Sequence, residues 1–268
     1  MPYVTNQDIQ LYYEVNGKGL PLLIISGLSG GTWSWYGQVP FFKNHYLTIA
    51  FDNRGAGRST IPLGQYEMSQ FAEDALRILD ALAVDQVFVL ALSMGGMIAQ
   101  ELALMAPSRI KAMVLGCTHC GGESRIPPSD WAIQVLLNNA GLTQEQIIDK
   151  NLPLFFSQKF RQDRQETIAQ YRVAQLKAPL QPEHAFLAQL AAIASFDRCR
   201  DLSRISNPSL IITGSEDILV PPGNSHNLNK RISKSRLIEI PGAAHALHVE
   251  CRDQLNALVH AFFQECTA

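Results

Sequence analysis

Short, almost wholly apolar runs punctuate this chain at Leu22-Leu23-Ile24-Ile25, Tyr46 to Phe51, Gln86 to Leu92, Ile110 to Leu115, Ser209 to Thr213 and Arg236 to Ile240. A strand that is apolar at successive positions rather than alternate ones is buried on both faces, which is the signature of a mostly parallel sheet. Val4 to Val15 reads differently, as a hairpin turning at Asn6-Gln7-Asp8, with its second arm ending at Asn16-Gly17. Between the apolar runs the period changes from two to 3.6. Met68 to Leu82 sets Phe71, Ala75, Leu76, Ile78, Leu79 and Leu82 on one stripe and Glu73, Asp74 and Arg77 off it. Met94 to Met105 predicts a second helix, halted by Pro107, and Glu250 to Phe263 a third. Strands alternating with helices predict an α/β fold with a doubly wound sheet.

The alternation stops between about Gly121 and Cys199. This stretch is rich in Gln, Ala and Leu and is punctuated by Pro127, Pro128, Pro153, Pro179 and Pro182, so several short helices fit it better than strands or one long helix. The expected organisation is a core made of residues 1–120 and 200–268, with 121–199 a helical insertion over the sheet edge where ligands bind.

Composition narrows the function. Lys and Arg number 22 and Asp and Glu 24, a net charge of −2 with no footprint for nucleic acid or anionic lipid. The 47% hydrophobic content and 17% charged content, over 268 residues, fit a folded core rather than a disordered chain. No uninterrupted apolar stretch is long enough to span a bilayer, and the segment Met1 to Asp8 lacks the pattern of a secretory leader. Five Cys are too few for a disulfide scaffold, so reduced thiols and a cytoplasmic location are expected. Cys117-Thr118-His119-Cys120 lacks the second ligand pair of a zinc site and reads as incidental packing, with no metal expected.

The segment Val89-Leu90-Ala91-Leu92-Ser93-Met94-Gly95-Gly96-Met97 carries the candidate nucleophile. A Ser on a tight turn from strand to helix exposes its hydroxyl, and the turn leaves room only for small residues two before and two after it, here Ala91 and Gly95. That is the G-x-S-x-G elbow with Ala in first place. Ser93 as a plain helix cap would not explain the small residues on both sides. A nucleophilic Ser needs a base, and the base needs an orienting carboxylate. Asp217, beyond the strand ending at Thr213, and His245, beyond the strand ending at Ile240, stand on the same predicted sheet edge as Ser93. Glu216, one residue off Asp217, points elsewhere, and His248 is expected to pack or cap. His119 and His184 are candidates to line a cavity, whereas His45, His226 and His260 read as surface residues. The backbone N–H groups of Leu28, in Ser26-Gly27-Leu28-Ser29-Gly30-Gly31, and of Met94 are the candidate oxyanion donors. Neither that loop nor Gly55-Ala56-Gly57 forms a dinucleotide or phosphate-loop motif.

These segments together resemble the α/β-hydrolase superfamily nearly end to end: Ser26-Gly27, Asp52-Asn53-Arg54-Gly55-Ala56-Gly57-Arg58-Ser59, the Ser93 elbow, Gly214 to Asp217, and Pro241-Gly242 to His245. Within it, Thr118 to Gly122 and Ser195-Phe196-Asp197 are similar to the 3-oxoadipate enol-lactonase and carboxylesterase-like branch. The resemblance implies an eight-stranded, mostly parallel sheet flanked by helices, a helical cap, and hydrolysis without a cofactor. Many relatives have His-Gly where this chain has Ser26-Gly27, and Ala91 stands for the usual Gly. The expected activity is hydrolysis of a small, largely apolar carboxylic ester or lactone. C–C, carbamate or amide hydrolysis on the same triad, or a ligand-sensing role, are the alternatives. The partner expected is a small molecule, with the chain a monomer or homodimer.

Overall fold

The computed structural model describes residues 2–267; Met1, part of the leader reading, and Ala268 lie outside the described residues. Eight strands form one sheet in the order β1-β2-β4-β3-β5-β6-β7-β8. They are β1 (Tyr3–Asn6), β2 (Ile9–Asn16), β3 (Pro21–Ile25), β4 (Leu47–Phe51), β5 (Val87–Leu92), β6 (Ile110–Gly116), β7 (Ser209–Gly214) and β8 (Ser235–Ile240). β1 pairs antiparallel with β2, and β2 with β4, while every other pairing is parallel. The helices in chain order are α1 (Val39–Phe42), α2 (Met68–Ala81), α3 (Met94–Met105), α4 (Asp130–Leu137), α5 (Gln144–Phe155), α6 (Gln158–Asp163), α7 (Gln165–Gln175), α8 (Glu183–Ser195), α9 (Gly223–Arg231), α10 (Leu247–Glu250) and α11 (Arg252–Glu265).

The apolar runs behave as their pattern predicts. Leu23 and Ile25 of β3 pack with α2 and α3 in one core cluster, and Leu22 and Ile24 pack with α11 in a second on the opposite face. β5 divides likewise, Val89 and Ala91 to one side and Phe88 and Leu90 to the other. The α2 stripe is buried as expected, with Phe71, Ala75, Ile78 and Leu79 wholly inaccessible. Burying each of its large apolar side chains contributes roughly 1.5–3 kcal/mol. The helix start is fixed by the Gln70 side chain, which accepts the Glu67 N–H at 3.0 Å.

The predicted third helix, Glu250 to Phe263, is found as α11, shifted by two residues, with the one-turn α10 just before it. α10 ends at Glu250, Cys251 breaks the run at φ −119°, ψ 36°, and α11 starts at Arg252. His248 thus sits inside a one-turn helix, its ring tilted against Trp35 with ring centres 5.5 Å apart. His260 departs from its surface reading: it is half-buried and meets the Tyr46 hydroxyl at 3.0 Å.

Helices α4 to α8 fill the gap between β6 and β7 where the alternation stopped. The segment leaves and rejoins the sheet at one place, where Gly121 bridges Asp197. Cys120 and Cys199 flank that bridge with Cα atoms 4.8 Å apart and are joined as a disulfide. This corrects the expectation of reduced thiols for these two residues; Cys117, Cys251 and Cys266 are free. The pairing was hidden by a separation of 79 residues, which the return of the segment to its origin closes. Among the described residues, no helix is long and apolar enough to cross a membrane.

Candidate active site

Ser93 occupies the single residue between β5 and α3, at φ 57° and ψ −124°. A non-glycine residue there costs on the order of 1–3 kcal/mol, and persists only where its surroundings over-determine it. Here they do. The Ser93 N–H is held by the Gly116 carbonyl at 2.8 Å. A Cβ added at Gly95 would lie 2.3 Å from the Ile25 carbonyl oxygen, so the elbow admits only glycine at that position. Ala91 belongs to β5 and is fully buried, with none of the positive φ that would demand glycine. The Ser93 hydroxyl makes no cap hydrogen bond to its helix, which disposes of the capping reading.

The hydroxyl meets His245 instead. Nε2 of His245 lies 3.1 Å from Ser93 Oγ, and its Nδ1 lies 2.8 Å from Asp217 Oδ2. An ionised carboxylate only accepts, so the proton sits on Nδ1 and the Nε2 lone pair faces the hydroxyl. Asp217 is fixed in turn, because Oδ1 accepts the backbone N–H groups of Leu219 at 2.9 Å and Val220 at 2.8 Å. The carboxylate is wholly buried and the imidazole nearly so. All three predicted residues are therefore brought together, each beyond the C-terminal end of a parallel strand. Glu216 is exposed, as its one-residue offset predicts.

Behind Asp217 stands a group that the sequence reading missed. Cys117 Sγ lies within 4.8 Å of the reacting atoms of Asp217 and His245. Burial, reinforced by the Asp217 charge, raises the Cys117 thiol well above its ordinary value. It stays protonated, a form unsuited to metal ligation. Its only sequence signal was its place directly after β6.

The Ser26–Gly31 loop lies against the hydroxyl. A Cβ at Gly27 would approach Ser93 Cβ to 3.1 Å, which measures how closely the backbone passes. Ser26, the residue that stands for His in many relatives, braces the loop: its hydroxyl donates to the Gly31 carbonyl at 3.0 Å and accepts from Trp35 Nε1 at 2.7 Å. Among the described residues, the N–H groups of Leu28 and Met94 have no acceptor, so both donors are free. Gln189 of α8 ties this loop to the segment above it, accepting the Ser29 N–H at 2.9 Å and donating to the Arg54 carbonyl at 2.8 Å.

Ser93, Leu28 and His245 open onto a cavity of about 640 Å³ between the sheet edge and helices α4 to α8. Its walls are mainly apolar and aromatic, with Trp33 and Trp35 below and Phe155, Phe186 and Leu190 above. Trp33 belongs to the cavity wall alone, and Trp35 to both the wall and the core. His119 lines the cavity; His184 is exposed and does not. Burial, assisted by the nearby Arg125 charge, holds His119 down to about 3, so it is neutral. Burial also holds His248 neutral. Chemically, the arrangement offers a hydroxyl hydrogen-bonded to a proton acceptor and two unpartnered backbone N–H groups beside a mainly apolar cavity. These are the requirements for attack on a carbonyl.

Known proteins agree with this architecture. A family model described as alpha/beta hydrolase fold matches residues 21–250. A protein of Azorhizobium caulinodans that carries the name carbamate hydrolase RutD is 28% identical over 99% of both chains. 3-Oxoadipate enol-lactonase 2 of Acinetobacter baylyi is 30% identical over 96% of this chain and 94% of its own. The solved structure of Est816, described as an N-acyl homoserine lactone degrading enzyme, superposes with a TM-score of 0.85 at 28% identity, covering 97% of this chain and 100% of that one. The sheet order, the strained Ser between β5 and α3, and a match over most of its length place this chain in the α/β-hydrolase fold family.

Proposed function

We propose that the protein is a serine hydrolase of a small, largely apolar carboxylic ester or lactone, with Ser93 as nucleophile, His245 as general base and Asp217 as the orienting acid. One observation carries this reading: the continuous hydrogen-bonded line from Asp217 through His245 to Ser93, ending in an apolar cavity. Nε2 of His245 takes the Ser93 proton as Oγ bonds to the carbonyl carbon. The carbonyl π electrons move to oxygen, where the Leu28 and Met94 N–H groups receive the charge. As the tetrahedral adduct collapses, the bond to the alcohol oxygen breaks and the imidazolium returns its proton to that oxygen. Water then repeats the sequence on the acyl-enzyme and frees the acid. Asp217 keeps the proton on Nδ1 throughout and stabilises the imidazolium. Helices α4 to α8 serve as a cap that excludes bulk water from the adduct.

The names of the relatives support lactone and carbamate substrates alike. The cavity wall is mainly apolar, and this favours the ester or lactone. Fluorophosphonate labelling of Ser93, with p-nitrophenyl butyrate turnover in the wild type and in Ser93→Ala, tests the reading. Labelling and turnover both vanish in the variant. Undiminished turnover there refutes the assignment, and a panel of lactones, carbamates and β-diketones separates the bond types.

A further inference from the structure

The peptide units on either side of His245 are held by the inserted helices. The Ala246 N–H donates to the carbonyl of Phe155, the last residue of α5, at 2.8 Å. The Ala244 N–H donates to Glu250 Oε2 at 3.1 Å. That same carboxylate oxygen accepts the Ser157 N–H at 3.3 Å, and Oε1 accepts the Ser157 hydroxyl. Ser157 is buried and caps α6, its oxygen taking the Phe160 N–H at 3.2 Å. The turn between α5 and α6 therefore grips the loop carrying His245 at two points, once through a backbone carbonyl and once through Glu250.

Glu250 is a costly choice for packing alone. It is half-buried at the end of α10, and none of the eleven ion pairs among the described residues includes it. Burial raises its carboxyl above the ordinary value, while the Ser157 and Ala244 donors act the other way. A carboxylate drawn from water without a cation persists where several donors share its charge. Here the donors belong to two different units, the loop before His245 and the cap, so one side chain joins them. The consequence for His245 is geometric. Its Nε2 stands 3.1 Å from Ser93 Oγ, near the far end of the range of about 2.6–3.2 Å over which a base takes a proton. A reacting group has to be held within about 0.5 Å of its working position. With the N–H groups before and after it both anchored, the His245 backbone lacks that much slack; with Ala244 released, it gains it.

We propose that Glu250 is a positioning residue for the hydrolysis, making the alignment of His245 on Ser93 depend, through Ala244 and Ser157, on the docked turn between α5 and α6. This deepens the hydrolase reading and rests on it. The cap then does more than enclose the substrate: its seating on the sheet edge sets how well the base meets the nucleophile. His245 moves a proton in acylation and in deacylation, so both steps slow together when it is displaced, and kcat falls while KM holds.

Turnover of p-nitrophenyl butyrate, expressed per Ser93 site titrated to completion with a fluorophosphonate, tests this. Glu250→Ala lowers kcat by about 10- to 100-fold, the cost of misplacing a reacting group by about 1 Å, with KM changed less than about threefold. Glu250→Gln, which keeps one acceptor for the Ala244 N–H, recovers part of the loss. Ser157→Ala, which leaves the Ala244 bond in place, lowers kcat by about three- to tenfold, and adding it to Glu250→Ala costs nothing further, because its effect passes through Glu250. Circular dichroism and thermal melting of each variant check the fold. A purely structural side chain lowers the melting temperature and leaves kcat per titrated site unchanged. That outcome, a rise in KM at constant kcat, or effects of Ser157→Ala and Glu250→Ala that multiply overturns the proposal. If Glu250→Ala does not fold, Glu250→Gln and Ser157→Ala decide it by the same measure: kcat at the wild-type level in both refutes it. Failure of wild-type Ser93 to react with the fluorophosphonate strikes the hydrolase reading instead.

Discussion

Acidification from pH 7 to pH 5 destabilises this fold in part through one imidazole, and the contribution can be isolated. His119 is 3% exposed and titrates at about 3 in the folded chain, against 6.5 for an ordinary histidine. Burial is the larger cause and the Arg125 charge the smaller. The unfolded chain binds a proton at this site once the pH falls below about 6.5, whereas the folded chain refuses it until about 3. Stability is therefore whole above the upper value and drains away as the pH falls towards the lower one. Between pH 7 and pH 5 the two proton-binding curves separate by about 1.4 pK units, or roughly 2 kcal/mol. His119→Asn is the informative variant. The Asn side-chain oxygen can take the place of Nδ1 as acceptor for the Gly121 N–H, and nothing at the site titrates. Urea unfolding of both proteins at the two pH values, followed by tryptophan fluorescence, gives four free energies. The wild type loses roughly 2 kcal/mol more than the variant on acidification. The variant's own loss of packing cancels, because only the pH slopes are compared. Parallel slopes, differing by less than about 0.5 kcal/mol, would refute the neutral buried imidazole.

Two further substitutions address the catalytic geometry. Asp217→Asn presents an amide N–H to His245 Nδ1, which drives the imidazole proton to Nε2, where it faces Ser93 and blocks proton abstraction. On the pattern of other Ser-His-Asp enzymes, kcat for p-nitrophenyl butyrate falls by about 10⁴ while the fold survives; a loss under tenfold contradicts the tautomer assignment. Gly95→Ala places a Cβ 2.3 Å from the Ile25 carbonyl, so β3 or α3 must shift. Destabilisation of about 1–3 kcal/mol by thermal unfolding, with a disproportionate loss of kcat, is expected; an unchanged melting temperature refutes the tight approach of α3 to the Ile25 carbonyl.

The chemistry of the sheet edge was legible in the sequence because it is local. Each of Ser93, Asp217 and His245 follows its own apolar strand, and a parallel sheet brings such ends together however far apart they lie in the chain. Strand positions were equally plain, since burial on both faces leaves no polar residue to blur an apolar run. The end of the molecule was less so. The start of α11 was placed two residues early, at Glu250, because nothing in the apolar spacing signals the break in backbone angles at Cys251. The boundaries of α4 to α8 rested on prolines alone, and Pro153 lies inside α5 rather than ending it. The Cys120–Cys199 link was out of reach for another reason. It depends on how the inserted helices return to the sheet, and no periodicity encodes that return.

Because the inserted helices depart and come back through a single neck, flanked by Cys120 and Cys199 and bridged from Gly121 to Asp197, they hang on the sheet as a loop whose two feet touch. The distance between β6 and β7 is set below the neck and does not depend on what is threaded above it. Helices can be lengthened or remodelled there without moving the strand ends below, as long as the Gln189 bonds to Ser29 and Arg54 and the Phe155 carbonyl bond to the Ala246 N–H are kept. Natural variation in what these proteins digest can thus accumulate in one exchangeable cassette, while the machinery that breaks the bond stays as it is.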